Sequence, residues 1–165
     1  MALVSVLPRS LDESLPTDVL ADLASKAAQR LARSNLEPVA QPGGRWHVRL
    51  RVTRHYDVWL IGWGVDSQVE LHDHGTSAGA LAVIRGNLLE LTPRSTGGFR
   101  VQGLARGDVR AFDSGHLHDV VNEGPGVAIS AHVYSPPLTS MTYYDADSAP
   151  VRTETIDLPG LVEDH

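Results

Sequence analysis

The sequence predicts an all-β domain, a small barrel or sandwich preceded by one helix. Three observations carry this. A single run near the N-terminus has helical periodicity. From Trp46 to about Tyr144 the chain breaks into short β-rich runs separated by turn residues. No helical pattern alternates with those runs, as a parallel sheet with crossover helices would require.

The elements follow in order. DVLADLASKAAQRLARS (18–34) places Leu20, Leu23, Ala24, Ala27, Ala28 and Leu31 at helical spacing, with Thr17 available as N-cap after Pro16. EPVAQPGG (37–44) is a Pro/Gly-rich break into a different regime. Strands are expected at 46–53, 57–63, 69–74, 80–85, 88–93, 99–103, 109–112, 117–122 and 127–134. RGN, TGG, RGD and NEGPG punctuate them; RGD (106–108) reads as a tight turn before a strand. The last twenty residues are polar and acidic, without periodicity, and are expected to wrap the barrel or fray. We therefore expect residues 1–165 to form one domain: a helix at about 18–34, a barrel at about 46–144 and an acidic tail.

Composition narrows the function. The 165-residue chain has 14 basic and 20 acidic residues, a net charge of -6 and no long basic run. That argues against phosphate-driven nucleic-acid binding and against attraction to an anionic membrane. There is no cysteine, so disulfides and thiol nucleophiles are excluded. The start lacks a basic region followed by a long apolar one, and VWLIGWGV (58–65) is too short to span a bilayer. A soluble, cytoplasmic protein is expected.

Histidine distribution carries the chemistry. Of eight histidines, five fall into three groups: His72/His74, His116/His118 and His132. On a strand, residues i and i+2 share a face, so HDH can aim two imidazoles at one point. Neutral imidazole is the commonest protein ligand for a transition metal.

Around these groups the chain resembles the cupin superfamily. Its first motif, H-x-H followed by a glutamate and then a glycine, is matched by His72, His74 and Gly86, but Gly79 stands where the glutamate belongs. Its second motif is matched by Gly107, Gly115, His118 and Asn122, with Asp113 in place of a proline. The resemblance implies a cupin-type small β-barrel (double-stranded β-helix) after the N-terminal helix, with His72, His74 and His118 as metal ligands. The register selects His118 over His116.

Gly79 removes the only anionic ligand of the general cupin set. Three neutral imidazoles on iron(II) keep a +2 centre with open positions, suited to an anionic thiolate and still able to admit O2.

The narrower resemblance is to the thiol dioxygenases, of which cysteine dioxygenase is the best-known type. HDHGTSAGALAVIRGNLLE, GHLHDVVNEG and SAHVYSPPLTSM carry it, over about Trp46 to Tyr144. It implies a relay of Ser130, His132 and Tyr134 on one strand face, a cis Ser135–Pro136 bond, an Fe(II) cofactor, and a small thiol and O2 as reactants. L-cysteine is the first candidate substrate. Relatives acting on 3-mercaptopropionate commonly carry glutamine where cysteine-oxidising ones carry arginine, cysteamine would need no arginine, and a metal-binding cupin without catalysis is the alternative outside the class. Animal members cross-link a cysteine to the relay tyrosine. Gly79 stands at that cysteine's position, so this chain cannot.

An arginine fork suits a substrate carboxylate. RWHVRLRVTRHYDVWL offers Arg45, Arg49, Arg51 and Arg54. The likeness of WHVRL to the family's aromatic-x-Arg run favours Arg49. Arg51, expected on the same face, and Arg54 are the alternatives. Oligomeric state is not readable from the sequence.

Overall fold

Period-two alternation explains why the centre of the chain is so apolar. In β4 (Ala78–Arg85, AGALAVIR) every residue up to Ile84 is buried, and in β9 (Ala128–Ser135, AISAHVYS) every residue is. Both strands are covered on two sides. Leu81 and Val83 of β4 point into the core between two sheets, while Ala80 and Ala82 point outward beneath a helix. The small outward residues let that helix sit close.

The computed structural model describes residues 13–36 and 40–158. Most of the N-terminal stretch read for a leader (1–12), the start of the Pro/Gly break (37–39) and the end of the acidic tail (159–165) lie outside the described residues. One α-helix, α1 (Thr17–Ala32), precedes the strands. These are β1 (Arg45–Val52), β2 (Asp57–Trp63), β3 (Gln68–His72), β4, β5 (Asn87–Pro93), β6 (Phe99–Ala105), β7 (Val109–Phe112), β8 (His118–Val121), β9, β10 (Ser140–Tyr144) and β11 (Pro150–Thr155). They form two antiparallel sheets, ordered β1-β2-β9-β4-β7 and β11-β10-β3-β8-β5-β6. The fold is all-β with one helix, as expected. No helix among the described residues is long and apolar enough to cross a membrane.

The helix buries Leu20 and Ala24 against Ala80, Ala82 and Val133. Its second half lays Ala27, Ala28 and Leu31 on Leu60, Ile84, Ile129 and Ala131. Complete burial of a leucine such as Leu20 is worth about 2 kcal/mol. Thr17 does not cap: Pro16 holds the cap position with ψ 147°, no side chain caps the helix, and the Pro16 carbonyl accepts the Leu20 N–H at 3.0 Å. Thr17 is already helical, so its hydroxyl cannot fold back onto the free amides.

Two further expectations are corrected. β3 ends at His72, so His74 lies in the following loop and not on the strand. The tail neither frays nor wraps loosely over 150–155: it pairs as β11 against β10, with all six residues exposed. RGD is a turn, closed by the Asp108 N–H on the Ala105 carbonyl at 2.9 Å, with Gly107 at φ 89°.

Candidate functional site

A cavity of 280 Å³ opens between the sheets. Trp59, Ile61 and Trp63 of β2 and His132 and Tyr134 of β9 line one side. His72 and His118 line the other, with Met141, Tyr143, Glu154 and Ile156 of the C-terminal segment at the rim.

His72 and His118 face each other across the β3–β8 ladder as register partners. His74 reaches the same point because Asp73 pins the loop after β3. The Asp73 N–H donates to the Thr142 carbonyl at 2.9 Å, and its carboxylate accepts from the Gly75 and Thr142 amides at 3.0 and 3.1 Å and the Tyr144 hydroxyl at 2.7 Å. The Nε2 atoms converge: His72 to His74 is 3.1 Å and His118 to His74 is 3.4 Å.

Outer partners set the tautomers of two rings. His72 Nδ1 lies 2.7 Å from the Glu70 carbonyl and His118 Nδ1 2.8 Å from Glu90 Oε2. Both acceptors require a proton on Nδ1, which leaves two bare Nε2 lone pairs facing His74. Burial first, then the neighbouring imidazoles, hold His72 and His74 well below the ordinary histidine range. His118 is lowered by burial too, against the opposing pull of Glu90. The three rings are therefore neutral.

A proton on His74 Nε2 can serve only one of those two lone pairs well, whereas a cation at the point of convergence would satisfy all three nitrogens. Two nitrogens bound at right angles, each about 2.1 Å from one ion, lie about 3.0 Å apart. The observed spacings fit that requirement, and donors that are all imidazole fit a transition metal. This is a three-histidine candidate metal site of non-haem type.

Glu90 on β5 is almost completely buried and was not singled out from the sequence. Besides His118 it accepts from Arg110 Nε at 2.7 Å and lies 3.4 Å from His116 Nε2. Burial opposes its ionisation, but hydrogen bonds from His116, His118 and Arg110 outweigh that and hold the carboxyl well below the usual carboxylate range. His116 thus stands behind Glu90, outside the converging trio. The available signal was an acidic residue on the inward side of an apolar strand, in register with Leu88.

On β9, Ser130, His132 and Tyr134 share the cavity face and form a chain. Trp63 Nε1 donates to Ser130 Oγ at 2.9 Å, Ser130 Oγ lies 2.7 Å from His132 Nε2, and His132 Nδ1 lies 3.2 Å from the Tyr134 hydroxyl. An indole N–H can only donate, so Ser130 Oγ accepts from Trp63, and among the described residues the one acceptor in reach of the buried Ser130 proton is His132 Nε2, which gives the chain its direction. Ser130 donates to His132 Nε2, His132 Nδ1–H donates to Tyr134, and the Tyr134 proton is left for the cavity. Burial lowers His132 to about 3 and raises the Tyr134 phenol above its ordinary value, so both are neutral. Trp63 is a member that hydrophobic patterning concealed. The Ser135–Pro136 bond is cis.

The arginines separate. β1 and β2 pair with a register shift between Arg49 and Arg51, which breaks the alternation. Arg49 stands behind the cavity wall: its Nη1 donates to the Asp157 carbonyl at 2.8 Å, Nη2 to the Leu138 carbonyl at 3.1 Å, and Nε lies 3.3 Å from Asp57 Oδ2. Arg51, past the bulge, lies on the helix side with Leu23, Leu50 and Tyr56, not on the face of Arg49. Arg54 is exposed in the β1–β2 turn. Arg45 lines the cavity, its guanidinium carbon 5.6 Å from the Trp63 ring centroid.

Gly79 does not leave open space. A Cβ there would meet Phe112 at 2.7 Å and Tyr134 at 2.9 Å. Both rings also pack on His74, with centroids 4.9 Å away.

Residues 44–147 match the family described as cysteine dioxygenase type I. The chain belongs to that family. Solved structures show the same fold at low identity. A Klebsiella pneumoniae protein with a double-stranded β-helix domain is 18% identical, with a TM-score of 0.52 over 76% of this chain and 100% of that one. A cupin-superfamily sugar phosphate isomerase from Silicibacter pomeroyi is 22% identical, with a TM-score of 0.51 over 66% and 76%. Recombinant oxalate oxidase in complex with glycolate is 16% identical, with a TM-score of 0.54 over 62% and 56%. Family membership implies a dioxygenase-like enzyme that takes a small thiol and O2.

Proposed function

We propose that this protein is an iron(II) thiol dioxygenase that converts L-cysteine to cysteine sulfinic acid, adding both atoms of O2 to sulfur. The observation that carries the reading is the directed chain from Trp63 to Tyr134, whose last free proton faces the cavity beside three converging imidazole nitrogens. Metal or ligand binding alone needs no such chain.

In this reading His72, His74 and His118 hold the iron. When bound, it supplies the Lewis acidity that ionises a thiol and the redox activity that O2 chemistry needs. The neutral ligand set keeps the full positive charge of the ion available to an anionic sulfur. Arg45, at the cavity mouth, takes the substrate carboxylate and so holds sulfur at the trio. It replaces Arg49, whose guanidinium is engaged by Asp57, Leu138 and Asp157. Tyr134 donates its proton to the substrate carboxylate or to a developing charge on oxygen, and His132 and Ser130 hold the phenol at that angle. Trp59, Trp63 and Ile61 exclude water along the opposite wall.

The test is oxygen uptake by iron(II)-loaded protein offered L-cysteine, 3-mercaptopropionate and cysteamine separately, with the product identified by mass. Uptake with cysteine and a product heavier by two oxygen atoms is expected. Preference for 3-mercaptopropionate or cysteamine would retain the chemistry and remove the carboxylate role of Arg45 for an amino acid. Failure with every thiol at full iron occupancy would sink the dioxygenase reading and leave a non-catalytic metal-binding cupin.

A further inference from the structure

The ligand set of a general cupin includes a carboxylate, and here Gly79 occupies that position with Phe112 and Tyr134 packed over it. A second carboxylate nevertheless reaches the trio from behind. Glu90 Oε2 is 2.8 Å from His118 Nδ1, on the ring edge opposite the converging Nε2. Its other oxygen is held by Arg110 Nε at 2.7 Å. Glu90 is 2% exposed, whereas the Arg110 side chain is 34% exposed. Solvent therefore screens the cation more than it screens the anion.

We propose that Glu90 is a positioning residue that passes negative charge through His118 to the metal, replacing from one layer further out the anionic ligand that Gly79 omits. The inference rests on the reading of His72, His74 and His118 as ligands. A carboxylate accepting from Nδ1–H fixes the ring and makes its Nε2 more basic. Arg110 holds the carboxylate by the oxygen remote from His118 and withdraws part of its charge. The two residues therefore act on the metal with opposite signs.

That opposition supplies the test. Glu90→Gln retains an oxygen able to accept from His118 but carries no charge. Arg110→Gln leaves the Glu90 charge and removes its counterweight. Cobalt(II) affinity and the midpoint potential of the iron-loaded protein are measured for both. Glu90→Gln is expected to weaken cobalt binding by about tenfold to a hundredfold and to raise the potential. Arg110→Gln is expected to lower the potential. A purely structural role for Glu90 would not produce shifts of opposite sign. Shifts of the same sign, or no shift in either variant, would overturn the proposal. If circular dichroism shows that Glu90→Gln does not fold, Arg110→Gln decides alone: a fall in potential supports the proposal, and a rise or no change overturns it. Absence of cobalt binding by the wild-type protein would overturn the ligand reading itself, a different result from unaltered binding in the variants.

Discussion

Two hydrogen-bonded chains approach the histidine trio from opposite sides, and they are built differently. The chain on β9 is neutral throughout: indole, hydroxyl, imidazole and phenol, each donating to the next. The chain behind His118 is charged, with Glu90 held between Arg110 and two imidazoles. A neutral chain can deliver one proton at a defined point without creating a charge in a buried wall. A charged chain changes what the metal feels without touching the substrate. On the proposed reading, the neutral side places a proton and the charged side tunes the metal ligands.

The largest effect should come from removing the point where the two sides meet. His74→Ala takes out the central imidazole and is expected to abolish stoichiometric cobalt(II) and iron(II) binding, read by titration calorimetry, together with all oxygen uptake.

Breaking only the neutral side should separate turnover from metal binding. Tyr134→Phe is expected to lower kcat by about 10²- to 10⁴-fold, the usual range for a lost proton donor, while cobalt affinity stays within threefold of wild type. Equal losses of both would merge the two sides into one structural unit.

The arginines offer a parallel contrast between buried and exposed charge. Arg49→Ala strips the guanidinium from Asp57, which is fully buried, and is expected to cost about 3 kcal/mol in urea unfolding at pH 7. Burial raises the Asp57 carboxyl to about 6, against the opposing pulls of Trp59 and Arg49. A raised folded-state pKa contributes stability at low pH that is lost as pH rises through that value. The Arg49→Ala loss should therefore shrink when unfolding is repeated near pH 5, where the carboxyl is protonated. Arg45→Ala should leave unfolding unchanged and raise KM for cysteine instead.

The smallest of these effects tests the packing that both sides share. Gly79→Ala places a methyl against Phe112 and Tyr134 and is expected to destabilise by about 1–2 kcal/mol, seen as a lower Tm. A neutral outcome would mean that the rings yield freely.

HDH was legible as a pair from its spacing, although the loop after β3 and not a strand brings His74 in, whereas His118 over His116 was read from the resemblance to the second cupin motif. The chain on β9 was read from the likeness of SAHVYSPP to the thiol dioxygenases, and its period-two spacing agrees with the face that Ser130, His132 and Tyr134 share. The faces of the arginines were not legible: the bulge between Arg49 and Arg51 puts Arg51 out of phase with Arg49, and the engagement of Arg49 by Asp57, Leu138 and Asp157 depends on segments far away in sequence. β11 escaped notice because PVRTET has no buried side; its backbone pairing with β10 holds it in place, together with Arg152 lying 3.9 Å over the Tyr143 ring. Trp63 and Glu90 were hidden in opposite ways. One polar N–H rides on a side chain that packs in the core, and one acid sits among the leucines of β5.

The packing at Gly79 also bears on how this site could change by mutation. A side chain at 79, whether a carboxylate for the metal or a thiol for Tyr134, must push aside both the Phe112 and the Tyr134 rings, and the larger it is the more those rings must move. A change at 79 is therefore coupled to the packing on His74, because the two rings that would have to move are the two that flank that imidazole.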